Sequence, residues 1–187
     1  VRPTRVVHDL HPGYRSTAWA RALPWGRKVA VQHHHAHLLS VMAEHGLDRA
    51  LGLAFDGTGY GPDGTVWGGE FLLATRAGFQ RLGCFAPFAL PGGDAAVLRP
   101  LRVAFALLAP RFPREAASLP LAPEERALLP EMLDRRVASP LTSSVGRIFD
   151  AAAAVLGVVR EVSWEGEGPI RLEGLAAAAA ASGSPAD

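Results

Sequence analysis

The run Lys28–Asp56, KVAVQHHHAHLLSVMAEHGLDRALGLAFD, contains the pattern that decides the fold. A short β-rich stretch, Lys28–Gln32, leads into His33–Glu44, where apolar residues recur with helical spacing and Gly46 is a suitable stop. Arg49–Asp56 is rich in strand-forming residues again. The run therefore predicts a strand, a helix and a second strand.

A further strand and helix are predicted upstream of this run. Arg5–Leu10 has the composition of a short buried strand, and Ser16 or Thr17 is a suitable cap for a helix that runs to Leu23. The alternation of strands and helices up to residue 56 is typical of a parallel α/β unit.

Downstream the pattern changes to an antiparallel meander followed by helices. Asp56–Gly64 is a glycine-rich turn, and the β-rich runs Thr65–Thr75 and Phe79–Phe88 follow it. The later helices are predicted over 94–108 with Asp94 as cap and a kink or restart at Pro100, over 123–136, from Ser143 or Ser144 to Leu156, and from about Pro169 onward. We therefore predict an α/β fold with a helical C-terminal part, divided into segments 1–48 and 49–187.

The composition is that of an ordinary globular chain. Hydrophobic residues make up 49% and charged residues 20%, and the net charge of +1 gives no reason to expect nucleic acid or an anionic membrane as a partner. No apolar run approaches the roughly 20 residues of a membrane helix. The one cysteine, Cys84, excludes a disulfide framework and is expected to be a small buried apolar residue. A reducing cytoplasm fits these features.

The two ends of the chain suggest a piece of something longer. The chain begins at Val1 without an initiator methionine, and Ser182–Asp187 has a linker-like composition. We expect a fragment of a larger protein, with processing of a complete protein as the alternative.

The histidine run Gln32–His37 is the strongest indication of chemistry. In a helix, His33 and His37 are four residues apart and share a face, with Cβ atoms roughly 6 Å apart, so both imidazoles can reach one divalent metal. The alternative is a polar helix start, or a tag remnant, which the internal position disfavours. His34 stands where the HExxH motif has glutamate, so a zinc-protease mechanism is not supported.

Glycines follow the predicted strand that ends at Asp56. The backbone of Gly57, Thr58 and Gly59 can approach phosphate oxygens closely, and the Asp56 carboxylate can bind a cation or position water; a plain hairpin loop is the alternative. Gly68–Gly69 interrupts a β run, which indicates a bulge, with a close approach of backbone or ligand as the alternative.

The start of the helix after Ser144 is the third candidate site. Gly146, Arg147 and Asp150 lie in its first turns, where an anion or a ribose can bind. The alternative is a capped helix in which Arg147 and Asp150 form an i, i+3 ion pair.

Six stretches, taken in order, resemble the HypF family, the carbamoyltransferases of nickel–iron hydrogenase maturation. They cover nearly the whole chain and are residues 7–17, 31–38, 55–71, 90–94, 143–157 and 162–167. The resemblance implies an actin-like nucleotide-binding fold, as in sugar kinases and Hsp70 chaperones, present here as an internal and incomplete part of a carbamoyltransferase domain.

The resemblance also implies an activity and its partners. In the family, carbamoyl phosphate and ATP give carbamoyl-adenylate, and the carbamoyl group then passes to the C-terminal cysteine of HypE. By resemblance this chain is part of that enzyme; the alternative is a truncated or degenerate relative that binds metal or nucleotide without catalysis.

Site residues follow from the same resemblance. It implies that Asp56 joins His33 and His37 as ligands of a divalent metal, Fe, Zn, Mn or Mg, beside an ATP-derived nucleotide. It places Gly57, Thr58 and Gly59 on the phosphate side, and it places Gly146, Arg147 and Asp150 facing the nucleotide.

Overall fold

The computed structural model describes residues 2–183 and divides the chain into two compact units, one ending at Phe85 and the other beginning at Ala86. This division lies after the antiparallel meander in the chain, whereas the division predicted from the sequence lies before it. The predicted boundary between residues 48 and 49 stays a prediction. The predicted linker-like tail lies, from residue 184 onward, outside the described residues.

The described part of the first unit contains five strands and two helices. In chain order they are β1 (Arg5–Asp9), α1 (Arg15–Ala22), β2 (Arg27–Val31), α2 (His33–Glu44), β3 (Arg49–Tyr60), β4 (Val66–Thr75) and β5 (Gly78–Cys84). In the part of the chain that the structure describes, no helix is both long and apolar enough to span a bilayer.

Strands β1 and β2 form a parallel pair, with Arg5 opposite Arg27 and Asp9 opposite Val31. This part of the α/β prediction is confirmed. The expected cap of α1 is wrong, because Tyr14 occupies the cap position and its side chain makes no capping hydrogen bond. The Thr17 hydroxyl instead donates to the backbone oxygen of Asp9 at 3.1 Å. That bond ties α1 to the end of β1.

Strand β3 pairs with β4 in an antiparallel sheet and not with the parallel pair, so the predicted third parallel strand is wrong. The cause is the short connection between β3 and β4, because strands joined by a tight turn pair antiparallel. The predicted glycine-rich turn is also shorter than expected, since β3 continues to Tyr60. The pairing shifts register between Phe55 and Gly59, opposite Gly68.

Strand β3 presents two different faces. Gly52 and Ala54 are buried, and a Cβ at Gly52 would lie 2.2 Å from a methyl carbon of Leu38, so α2 packs closely on this face because the residue is glycine. Leu51, Leu53 and Phe55 alternate with them and are more than half exposed, at 64%, 55% and 52%. Strand β4 is the one neighbour of β3 among the described residues, so β3 is an edge strand.

The second unit contains a strand pair and six helices. They are β6 (Phe88–Ala89), α3 (Asp94–Leu98), α4 (Pro100–Leu108), α5 (Pro113–Ser118), α6 (Pro123–Arg135), β7 (Leu141–Thr142), α7 (Val145–Val155) and α8 (Glu167–Ala181). Helix α4 is buried along most of its length and contributes Leu101, Val103, Ala104 and Phe105 to the core.

The helical part agrees with the sequence except in detail. Pro100 begins a new helix, as one of the two predicted alternatives had it, because proline suits a first turn but interrupts a continuing helix. Asp94 is the first helical residue and not the cap, which is Gly93. The short helix Pro113–Ser118 was not predicted. Ser144 caps α7 by accepting from the Arg147 N–H at 3.1 Å.

Candidate metal centre

Two histidines on the first turns of α2 point at each other. The helix begins at His33 because the Gln32 side chain caps it, accepting from the His35 N–H at 2.9 Å. This start places His33 and His37 on one face, with their Nε2 atoms 3.2 Å apart. Their side chains are 27% and 61% exposed, so the pair lies at the surface.

The Asp56 carboxylate faces the same two imidazoles from β3. Its Oδ2 lies 3.1 Å from His33 Nε2 and 3.4 Å from His37 Nε2. The Gly57 N–H donates to its Oδ1 at 2.6 Å, which orients the carboxylate at the start of the register shift. Helix α2 and strand β3 thus bring three donor atoms together.

The three atoms fit a divalent cation. Ligand atoms at 2.0–2.2 Å from a tetrahedral ion are roughly 3.3–3.6 Å apart, and around an octahedral ion at 2.1 Å they are roughly 3.0 Å apart. The separations of 3.1, 3.2 and 3.4 Å agree with either geometry. The donor set of two imidazoles and one carboxylate suits zinc, iron or manganese.

His34 belongs to the wall of the centre and not to its donors. It is fully buried, and burial lowers its pKa to about 4, although the Asp56 carboxylate acts in the opposite direction. Its Nε2 lies 3.7 Å from Asp56 Oδ2. A Cβ at Gly59 would lie 2.4 Å from the His34 ring, so Gly59 is needed as glycine for this packing.

Asp9 is a residue of the centre that sequence reasoning did not single out. Its Oδ2 accepts a hydrogen bond from His33 Nδ1 at 2.8 Å, on the side of the ring opposite to Asp56. A usable signal existed, because Asp9 ends β1, and the C-terminal ends of parallel strands β1 and β2 lie at one edge. The helix that carries His33 starts from that same edge.

A buried charge network lies next to the centre in the same unit. Glu70 is fully buried, accepts from Arg81 Nε at 2.6 Å, and its other oxygen lies 3.3 and 3.4 Å from the amides of Gly68 and Gly69. The Arg81 guanidinium stacks 4.1 Å from the Trp67 ring centroid. The bulge expected at the two glycines is instead in β3, where three residues face Gly68.

A cavity of about 240 Å³ opens beside the donors. His37 and Asp56 line its polar end, and Leu38, Val41 and Leu53 contribute apolar surface. Such a mixed lining can orient a small polar group while its apolar side restricts water.

The predicted nucleotide residues are distributed over both units, and each group has its own structural setting. In the first unit, Thr58 is exposed, Gly57 is half-buried and Gly59 is buried against His34. Cys84, in the same unit, is half-buried, whereas the sequence predicted a buried residue. The binding of phosphate by these backbone groups stays a prediction.

In the second unit, Arg147 and Asp150 form the ion pair that the sequence left open, with Nη1 and Oδ2 3.2 Å apart and both side chains almost completely buried. Arg147 also contacts Glu165 at 3.2 Å. Burial raises the pKa of Asp150 to about 6, Arg147 opposes that shift and Glu165 adds to it. Nucleotide binding by Gly146, Arg147 and Asp150 stays a prediction.

Comparison with known proteins identifies the family. The model of the second subdomain of the Kae1-like carbamoyltransferase domain matches residues 52–186, and the model of the HypF Kae1-like domain matches residues 1–44. The chain belongs to the HypF family. The resemblance drawn from the six stretches is therefore confirmed.

Individual HypF proteins agree with this assignment. Carbamoyltransferase HypF2 of Cupriavidus necator is 47% identical over 94% of this chain, and carbamoyltransferase HypF of Synechocystis is 42% identical over 91%. The crystal structure of full-length HypF in its phosphate- and nucleotide-bound form covers 92% of this chain with a TM-score of 0.87 and 40% identity. The predicted fold class is confirmed by this match.

The matched HypF proteins are much longer than this chain. It spans 22% and 25% of the two curated relatives and 23% of the full-length HypF chain.

Proposed function

We propose that this chain is the metal-binding part of a cytoplasmic carbamoyltransferase. It moves a carbamoyl group from carbamoyl-adenylate, made from carbamoyl phosphate and ATP, to the C-terminal cysteine of a HypE-type protein during maturation of a nickel–iron hydrogenase. The observation that carries this proposal is the convergence of His33, His37 and Asp56 in a chain that belongs to the HypF family.

Three side chains of this chain would hold the cation: His33 and His37 through Nε2, and Asp56 through Oδ2. A divalent ion, Fe, Zn, Mn or Mg, supplies Lewis acidity toward a carbamoyl carbonyl or phosphate oxygen when bound there. The buried His34 lies behind Asp56, with its Nε2 3.7 Å from Asp56 Oδ2, and the Gly57 N–H orients the carboxylate through Oδ1.

Other residues of this chain bind and position the substrate in the proposed reaction. The phosphate side is approached by the backbone of Gly57, Thr58 and Gly59. This assignment is supported by the exposure of Thr58, which directly follows the metal ligand Asp56 and its hydrogen-bond partner Gly57. The apolar cavity wall beside His37 restricts water near the carbamoyl group, which would otherwise be hydrolysed. Gly146, Arg147 and Asp150 contact the nucleotide in this proposal.

Metal binding is tested first, with the chain alone. Titration with Mn²⁺, Fe²⁺ or Zn²⁺, followed by calorimetry, should show one site in the wild-type chain and none in His37→Ala. His45→Ala is the matched control, because His45 follows the same helix at its other end and is exposed. Equal binding by the wild type and His37→Ala would contradict the two-histidine site.

Carbamoyl transfer is tested by adding the remaining segments of a HypF relative, made separately, with carbamoyl phosphate, ATP and a HypE-type acceptor. Mass spectrometry of the acceptor's C-terminal cysteine should show the carbamoyl group with the wild-type chain. His37→Ala should lower the rate on the order of 100-fold or more, since the Lewis-acid contribution amounts to several kcal/mol. Metal binding without any transfer would favour the non-catalytic alternative.

A further inference from the structure

Asp9 connects two neighbouring parts of the first unit through the two oxygens of one carboxylate. Its Oδ1 accepts from the His11 N–H at 2.7 Å, and its Oδ2 accepts from His33 Nδ1 at 2.8 Å. The side chain is only 18% exposed, which strengthens both bonds. Its backbone oxygen is held by the Thr17 hydroxyl, so the position of Asp9 is fixed independently of His33.

This contact determines which nitrogen of His33 carries the proton. A carboxylate only accepts hydrogen bonds, so His33 Nδ1 must be the donor. In the neutral ring Nε2 then has a free lone pair, and it is Nε2 that faces Asp56 at 3.1 Å. The lone pair is thereby directed toward the point where the three donor atoms converge.

The next histidine along the helix has the opposite arrangement. The amide oxygen of Gln32 accepts from the His35 N–H, so the other polar atom of that side chain, the amide nitrogen of Gln32, is a donor. This nitrogen donates to the Tyr60 backbone oxygen at 3.2 Å and to His34 Nδ1 at 3.1 Å. His34 Nδ1 is therefore the acceptor and its Nε2 carries the proton, at 3.7 Å from Asp56 Oδ2. Two adjacent imidazoles are thus held in different tautomers, one suited to ligate a cation and the other suited to donate.

We propose that Asp9 is a positioning residue of the metal centre: it holds His33 in the Nδ1–H tautomer and so presents Nε2 as a ligand. This inference rests on the metal site of the proposed function. Nevertheless, the tautomer of His33 can be measured in the metal-free chain, so the two ideas can fail separately. Carboxylate partners of ligating histidines act in this way in metalloproteins generally.

The first measurement is nitrogen NMR of the chain labelled with ¹⁵N-histidine, without metal, at about pH 8, where imidazoles of ordinary pKa are neutral. His33 is assigned by the signal missing in His33→Ala. We expect the Nδ1–H pattern for His33 in the wild type and a mixture of tautomers in Asp9→Asn, with His34 unchanged in its Nε2–H form. An Nε2–H pattern for His33 in the wild type would overturn the proposal without any variant.

The second measurement is the affinity for Zn²⁺ or Mn²⁺ by calorimetry. Asp9→Asn should weaken binding roughly 10- to 100-fold. Asp48→Asn is the matched control, because Asp48 is 84% exposed, pairs with Arg76 and precedes β3, about 25 Å along the strand from Asp56. Circular dichroism of both variants establishes that they are folded.

The outcomes separate the two proposals. A wild-type chain that shows the expected tautomers but binds no metal supports the role of Asp9 in orienting His33 and removes the metal from the proposed function. A wild-type chain that binds metal, with unchanged tautomer and affinity in Asp9→Asn, keeps the metal site and overturns the role of Asp9.

Discussion

At the scale of the residue, the buried carboxylate of Asp150 determines a pH dependence. Its pKa in the folded chain is about 6, above the roughly 3.9 of an unfolded aspartate, so the folded state binds the proton more tightly. The contribution of Asp150 to the free energy of unfolding is therefore fully present below about pH 4 and is lost as the pH rises through about 6. We expect the free energy of unfolding to fall by about 1 kcal/mol between about pH 5 and pH 7 because of Asp150.

Urea unfolding of the wild type and Asp150→Asn at the two pH values measures this contribution by difference. The variant should lack the decrease, and Asp134→Asn, which changes an exposed carboxylate of the same unit, should retain it. If the decrease is as large in Asp150→Asn as in the wild type, the pKa of Asp150 is not the cause. In that case both Arg147 and Asp150 remain charged at each pH tested.

The candidate site shows which residues a sequence can reveal. His33 and His37 could be predicted because helical periodicity alone places residues four apart on one face. Asp9 could not be predicted with the same certainty, because its contact with His33 spans 24 residues and depends on how α2 leaves the end of β2. The packing of Gly59 against the His34 ring could not be predicted either, because only the tertiary structure defines that contact.

At the scale of the element, the sequence predicted most strands and helices, the parallel pair β1–β2 and the antiparallel pair β4–β5, but it did not predict the partner of β3. The helix His33–Glu44 was predicted with the observed bounds, because its apolar spacing and its glycine stop are both local signals. The partner of β3 depends on a tight turn and a register shift that composition does not encode. Gly57–Tyr60 therefore belongs to a strand and not to a loop.

The exposed apolar edge strand β3 is expected to promote self-association of the isolated chain, since unpaired strand edges with apolar side chains recruit further strands. Leu53→Lys should shift the chain toward monomer in sedimentation velocity at equal concentration. Val137→Lys is the control, because Val137 is 56% exposed but lies in a turn. Association that persists in Leu53→Lys, or that both substitutions reduce equally, would contradict a role for the strand edge.

At the scale of the whole molecule, the candidate metal centre is contained within one compact unit. All donor residues precede Phe85, as do Asp9, which contacts His33, and Gln32, which caps the helix that carries both histidines. We therefore expect residues 1–85, expressed alone, to bind Zn²⁺ within about threefold of the affinity of the whole chain, and residues 86–187 not to bind it. Calorimetry of the two pieces measures this. A loss of more than tenfold in the first piece would mean that the second unit contributes to the centre.

The exposure of His37 has a consequence for how the centre acquires its ion. A donor that is 61% exposed can detach and rebind without any opening of the fold, so a bound cation would exchange readily with the surrounding solution. For nitrogen and oxygen donors, intrinsic affinity rises from manganese through iron toward copper, with zinc also tightly bound. The ion recovered with the purified chain would then reflect the supply of metals during isolation, and the working ion must be identified from reaction rates with each metal added in turn.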